Sequence, residues 1–163
     1  MPRPRRILVV FKTHLDIGYT DLAAAVLRRY CTRFIPRALA TARELREAGG
    51  PDRFVWTTGS WLITEYLERA APPARRQLEQ AIAAGDLAWH ALPFTWHSEL
   101  LDTGLAEFGL SLAADLDRRF GRRTVAAKMT DVPGHTRSLV PLLASAGVRF
   151  LHLGVNPATP VPA

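Results

Sequence analysis

Five short apolar segments alternate with helical patterns along the whole chain of 163 residues. The predicted strands are residues 7–12, 54–57, 87–91, 125–129 and 148–153, of which the first is a run of β-branched and aromatic side chains. Between them, hydrophobic residues recur at helical spacing, as Leu105, Phe108 and Leu112 do. Pro36 is expected to kink or break the first helix. Strands separated by helices form parallel sheets covered by helices, so the sequence predicts an α/β fold.

The composition limits the function classes that are open to this chain. With 48% hydrophobic and 22% charged residues it is globular, and its apolar runs are far shorter than the roughly 20 residues that span a bilayer. The single cysteine, Cys31, excludes an internal disulfide and favours a cytoplasmic protein. The net charge of +6 comes mostly from arginines in separate predicted helices. We therefore expect no nucleic-acid partner and no membrane partner.

The last residues, 156–163, form a proline-rich loop that follows the final predicted strand. We expect residues 1–163 to be the N-terminal portion of a single α/β domain that is incomplete at its C-terminus. An incomplete domain exposes a sheet edge and apolar helix faces, so we also expect self-association into a homo-oligomer.

The first loop with candidate chemistry follows the first predicted strand. Sites in parallel α/β folds form at the C-terminal ends of strands. His14 and Asp16 are two residues apart there, so an extended backbone would point both side chains the same way. An imidazole and a carboxylate are suitable ligands for a divalent cation. The alternative is an ordinary hydrogen-bonded histidine beside a capping aspartate.

A second loop, after the strand predicted at 125–129, carries Asp131 in a Pro-Gly turn close to His135. A carboxylate at a strand end is placed to act as a nucleophile, a base or a metal ligand. The alternative is a turn-forming aspartate that bonds its own backbone.

A third loop, residues 92–101, carries Phe94, Trp96, His97 and Glu99. Aromatic rings stack on the apolar faces of sugars, so the loop suits carbohydrate binding. The alternative is a hydrophobic loop that covers the end of the sheet.

In this order, these loops resemble the N-terminal catalytic domain of glycoside hydrolase family 38, the α-mannosidases. The matching stretches are His14 to Asp16 with Gly18 and Tyr19, Phe54 to Trp56, Leu92 to Glu99, and Asp131 to Thr136. Their order and approximate spacing hold along nearly all of the chain. The resemblance implies part of a distorted seven-stranded (β/α) barrel with a mostly parallel sheet.

The resemblance also implies a Zn2+ ion bound by His14, Asp16 and Asp131. In the family the last of these is the nucleophile, which forms a covalent glycosyl-enzyme that water resolves with retention. Tyr19 stands where the family often has a tryptophan that packs on the sugar. We assign substrate binding to Tyr19, Trp96, Glu99 and His135. The family's fourth zinc ligand and its general acid/base would lie beyond residue 163.

The sequence thus predicts part of a zinc-dependent retaining glycoside hydrolase, similar to an α-mannosidase, with a carbohydrate substrate. Residues 1–163 alone would be inactive because the general acid is missing. A metal-dependent carbohydrate deacetylase is one alternative, although the chain contains no His-x-x-x-His pair. A non-catalytic sugar- or metal-binding module with the same fold is the other.

Overall fold

The structure is a computed structural model that describes residues 9–132, 135–154 and 156. Its helices and strands are α1 Ala23–Arg29, α2 Ile35–Glu47, β1 Trp56–Gly59, α3 Ser60–Arg69, α4 Pro72–Ala84, β2 Leu87–His90, α5 Thr103–Phe120, β3 Ala126–Thr130, α6 Leu139–Ser145 and β4 Phe150–Gly154. A π-helical segment, Tyr30–Phe34, joins α1 to α2, and a 3-10 turn, Ser98–Leu100, precedes α5. The predicted α/β class is confirmed.

The paired strands run parallel, as the alternation with helices predicts. β1 pairs with β2, and β3 pairs with β4. Lys12 forms a single parallel bridge to Thr57. The N–H of Ala91 donates a hydrogen bond of 2.9 Å to the carbonyl of Ala126, which links the end of β2 to β3. Through these bonds the strands lie side by side in chain order, from Lys12 through β1, β2 and β3 to β4.

This arrangement of strands is strongly curled. The Nζ atom of Lys12 lies 3.2 Å from the Oγ1 atom of Thr130, although β1 and β2 lie between their strands. In a flat sheet those two strands would be about 14 Å apart. The curl therefore creates a concave face, turned away from the helices, which carries Lys12, His14, His90, Lys128 and Thr130. The strands in the described part of the chain do not close into a barrel.

The helices cover the other face of the strands. Because side chains alternate along a strand, Leu87 and Trp89 of β2 are buried under the helices, while His90 points to the concave face. In β3, Ala127 and Met129 are buried in the same way. One core cluster joins α2, α3 and α4 to β1 and β2, and a second joins α5 and α6 to β3. Burial of these apolar side chains against the helices determines which side of each strand is turned toward the concave face.

Several observed boundaries differ from the predicted ones, and the last strand, predicted at 148–153, is Phe150–Gly154. The chain stays helical through Pro36, so the predicted break does not occur: the π-helical segment Tyr30–Phe34 precedes this residue, which lies in the first turn of α2. Residues 7 and 8 of the first predicted strand lie outside the described residues, and only Lys12 of that strand forms a bridge. The second strand lies two residues later than predicted and ends at Gly59.

Gly59 stands at a close backbone contact. An added Cβ atom would lie 2.1 Å from the carbonyl oxygen of Pro93. The end of β1 therefore approaches the loop after β2 more closely than any side chain would allow. None of the described helices combines the length and the apolar character that a bilayer crossing requires.

Candidate functional site

The side chains of His14, Asp16 and Asp131 meet at the C-terminal ends of the strands. The Nε2 atom of His14 lies 2.8 Å from the Oδ1 atom of Asp16 and 3.7 Å from the Oδ2 atom of Asp131. The site is half-buried, since the His14 side chain is 28% exposed and that of Asp131 is 53% exposed. A cation or a small ligand can thus reach these groups from solvent.

The backbone around His14 is held by neighbouring elements. The N–H of Thr13 donates to the carbonyl of Thr57 at 3.0 Å, which continues the strand pairing up to the site. The indole N–H of Trp56 donates to the hydroxyl of Thr13, and the hydroxyl of Tyr30 donates to the carbonyl of His14 at 3.3 Å. The imidazole is therefore presented from a segment that two backbone hydrogen bonds and one bond to the Thr13 side chain hold in place.

Asp131 has an unusual backbone conformation. Its φ of +62° makes it the one non-glycine residue in the left-handed region among the described residues. Aspartate tolerates this region better than most residues, and such conformations are concentrated at functional sites. Its N–H donates to the carbonyl of Gly154 at 2.8 Å, and its Oδ1 atom accepts a hydrogen bond of 3.2 Å from Asn156. Asp131 is thus oriented from both its backbone and its side chain.

The donor set suits zinc, with some rearrangement. No group of three or more His, Cys, Asp and Glu side chains in the described residues is already arranged to hold a metal ion. The His14–Asp16 hydrogen bond would have to give way, because Nε2 cannot donate a proton and bind a cation at once. Bonds of 2.0–2.1 Å in a tetrahedral site place neighbouring ligand atoms about 3.3 Å apart. The observed separations of 2.8 and 3.7 Å bracket that value.

A pair of lysines lies directly below this site on the concave face. The hydroxyl of Thr130 accepts hydrogen bonds from Lys128 at 2.8 Å and from Lys12 at 3.2 Å. The same oxygen lies 3.5 Å from the Nδ1 atom of His14. Burial, and then the neighbouring Lys12 ammonium, lower the pKa of Lys128 to about 7.

His90 lies next to these lysines. Burial first, and then the ammonium groups of Lys128 and Lys12, lower the pKa of this histidine to about 4. Its buried Nδ1 atom has no hydrogen-bond partner among the described residues. Beside the two ammonium groups, the neutral His90 side chain thus presents a nitrogen, Nδ1, without a hydrogen-bond partner among the described residues.

The four predicted substrate-binding residues differ in their surroundings, and of these four only Glu99 and His135 are seen to interact, through the effect of the Glu99 carboxylate on the pKa of His135. Tyr19 is 88% exposed, and Glu99 is exposed in the 3-10 turn. Trp96 is 6% exposed and packs beside Phe94 in the second core cluster. The Trp96 ring is packed inside the protein and does not face solvent. This position suits a core side chain more than a ring that stacks on a sugar.

His135 is half-buried, and neither of its ring nitrogens has a hydrogen-bond partner among the described residues. Burial lowers its pKa, the Glu99 carboxylate opposes that shift, and His97 adds to it. The N–H of Thr136 donates to the hydroxyl of Ser98 at 3.0 Å. The loops after β2 and β3 are therefore joined by a hydrogen bond.

Sequence reasoning missed Lys12, Lys128 and Thr130. A usable signal was present, because the chain contains only two lysines and 19 arginines. Both lysines precede the candidate ligands by two or three residues, at the ends of predicted strands. What the sequence did not reveal is that both reach the same hydroxyl.

No protein-family model matches this chain, and none of the curated proteins matches it. The similarity of its loops to family 38 therefore stays a prediction that rests on the motifs.

Proposed function

We propose that this chain carries the nucleophile and the metal site of a zinc-dependent retaining glycoside hydrolase, similar to an α-mannosidase. The observation that carries the proposal is the meeting of His14, Asp16 and Asp131 at one point from two separate strand ends. In a parallel sheet that is the edge where catalytic groups converge. The left-handed backbone of Asp131 adds to this support, since strain of that kind is kept where a side chain must be aimed.

His14, Asp16 and Asp131 would hold the zinc ion. When bound, zinc supplies a positive charge that attracts hydroxyl oxygens of a sugar. The chain's own residues orient the ligands. Thr130 contacts the far nitrogen of the His14 ring, and Asn156 holds one oxygen of Asp131. Outer partners of this kind fix the orientation of metal ligands.

Asp131 would carry the covalent step. One of its carboxylate oxygens forms a bond to the anomeric carbon while the bond from that carbon to the leaving oxygen breaks. The leaving oxygen takes a proton from a general acid, which the resemblance places beyond residue 163. Water then replaces Asp131 at the anomeric carbon and gives its proton to the same group, so the configuration is retained.

The proposed fold for this activity is a distorted seven-stranded (β/α) barrel, of which the curled strands form an arc. The contact between Lys12 and Thr130 across two intervening strands supports this, because only a strongly curved sheet allows it. We place the activity in the cytoplasm on the ground of the single cysteine.

The test is covalent trapping in the full-length protein loaded with zinc. An α-mannosyl fluoride with a second fluorine on the ring slows breakdown of a glycosyl-enzyme, which intact mass spectrometry detects. We expect one sugar adduct, on the peptide that contains Asp131. Asp131→Ala should show no adduct, and its turnover should fall by at least about a thousandfold. Asp115→Ala, which removes an exposed carboxylate on α5, is the matched control and should keep the adduct.

Turnover that survives in Asp131→Ala, or an adduct on another residue, would overturn the assignment of the nucleophile. Release of acetate from an acetylated sugar without any adduct would favour the deacetylase instead. Zinc binding with neither reaction would favour a non-catalytic module.

A further inference from the structure

The only two lysines of the chain converge on the concave face. Each donates a hydrogen bond to the hydroxyl of Thr130, so their ammonium nitrogens lie within about 6 Å of each other. The other 19 basic side chains, excluding histidine, are arginines. An ammonium is a compact charge with three donors, whereas a guanidinium is a wide planar fork. On this face, therefore, both basic side chains carry an ammonium group, which is smaller and more strongly hydrated than a guanidinium.

Neither lysine forms an ion pair with a carboxylate among the described residues, although eight other pairs of charged or ionisable side chains do. Thr130 offers one neutral oxygen, which accepts one N–H from each ammonium and leaves further N–H donors on both. Lys128 is half-buried and Lys12 is exposed, and two ammonium groups this close together repel each other unless an anion lies between or beside them.

The lysines also line a cavity. Its volume is about 500 Å³, and its wall includes Lys12, Lys128, His90 and His152 together with the apolar side chains Val10 and Phe150. That volume falls within the range of small-ligand sites. The buried Nδ1 atom of His90, which lacks a partner among the described residues, is a further polar group in this wall.

We propose that Lys12 and Lys128 bind an anionic group of the phosphate or carboxylate class in this cavity. An oxyanion has several acceptor oxygens, so it can accept several hydrogen bonds from both ammonium groups at once. The single Thr130 oxygen accepts only one from each lysine. The anion is either free in solution or part of a larger ligand, such as a phosphorylated sugar. This site stands on its own and does not depend on the proposed hydrolase activity.

The test uses the full-length protein, in which the peptides that contain Lys12 and Lys128 are followed individually. The wild type is labelled with an amine-reactive reagent at low ionic strength, with and without inorganic phosphate, and mass spectrometry measures the labelling of each lysine. We expect phosphate to slow labelling of both lysines at least about fivefold, while sodium chloride of equal ionic strength does not. The N-terminal amine is the internal control and should react equally in both solutions.

Calorimetric titration with inorganic phosphate gives the second measurement. Lys128→Met and Lys12→Met should each weaken phosphate binding by about tenfold or more. Arg149→Met, which removes an exposed cation outside the cavity, should bind as the wild type does. Thermal unfolding of each variant shows whether a loss of binding reflects a loss of fold.

Mannose 6-phosphate distinguishes the two sources of the anion. Binding that is tighter than that of phosphate, and that also needs both lysines, identifies the anion as part of a sugar ligand. Equal binding identifies a free anion. If phosphate and sodium chloride affect lysine labelling equally in the wild type, and neither phosphate compound gives a binding signal, the proposal is overturned. That result would leave the zinc and trapping experiments unaffected, because neither of them requires the lysine pair.

Discussion

The Nε2 atom of His14 lies 3.7 Å from the Oδ2 atom of Asp131, although the two residues come from opposite ends of the described chain. The curl of the parallel strands brings their loops together. Asp16 completes the group from the same loop as His14, at 2.8 Å from the same nitrogen. Metal binding at this point would therefore depend on the fold as a whole.

The first prediction concerns zinc. His14→Ala in the full-length protein should lower zinc affinity at least about a hundredfold, since a nitrogen ligand is lost and two neighbouring carboxylates are left with no imidazole between them. Metal analysis after dialysis against a series of buffered zinc concentrations measures this. His97→Ala removes an exposed histidine and should leave zinc content unchanged. Equal zinc affinity in wild type and His14→Ala would place the metal elsewhere, and no zinc in the wild type would leave a binding or scaffold role.

The second prediction concerns acid stability. Because burial lowers the pKa of His90 to about 4 from an ordinary 6.5, the unfolded chain takes up a proton there that the folded chain does not. The free energy of unfolding should therefore fall as the pH drops from about 6.5 to about 4, by about 3 kcal/mol from this group. Urea unfolding at several pH values measures the slope.

His90→Gln removes the titrating ring and should flatten that part of the pH profile. His97→Gln, at an exposed position, should leave the slope as it is in the wild type. An unchanged slope in His90→Gln would mean that another group causes the loss of stability in acid.

The third prediction concerns packing of the loop after β2 on α5. A Cβ atom on Gly109 would lie 2.5 Å from Cζ3 of Trp96 and 3.2 Å from Cγ of Pro93. Gly109→Ala should therefore destabilise the protein by about 1–3 kcal/mol despite the better helix propensity of alanine. Gly104→Ala, in the first turn of the same helix, meets only Oδ1 of Asp102 at 3.4 Å and should be neutral or stabilising. Thermal unfolding compares the two variants, and equal melting temperatures would contradict the close contact.

The fourth prediction concerns the carboxylate of Asp117, which links α5 to β2 and to the loop before β3. Asp117 in α5 accepts hydrogen bonds from the indole of Trp89 at 2.9 Å and from the N–H and the hydroxyl of Thr124. Asp117→Ala leaves these donors without partners and should cost about 2 kcal/mol of unfolding free energy. Asp115→Ala, on the exposed side of the same helix, should change stability by less than about 0.5 kcal/mol. Denaturant unfolding distinguishes them, and similar losses would argue against the network around Asp117.

Much of the fold could be predicted because its signals are local. Gly85 and Gly121 end α4 and α5 in left-handed conformations, and Pro72 opens α4. Asp102 caps α5 by accepting a hydrogen bond of 2.8 Å from the N–H of Leu105. Residues a few positions apart make each of these contacts, so the sequence pattern contains all the information required.

The site was only partly predictable, because its members come from distant parts of the chain. The sequence by itself determined the alternation of strands and helices, and with it the edge of the sheet at which His14, Asp16 and Asp131 lie. Only the tertiary structure decided that the strands curl enough for Lys12 and Lys128 to share the hydroxyl of Thr130. It also decided that Trp96 packs into the core. Curvature and burial depend on how the helices pack against the whole sheet, and no local pattern specifies that packing.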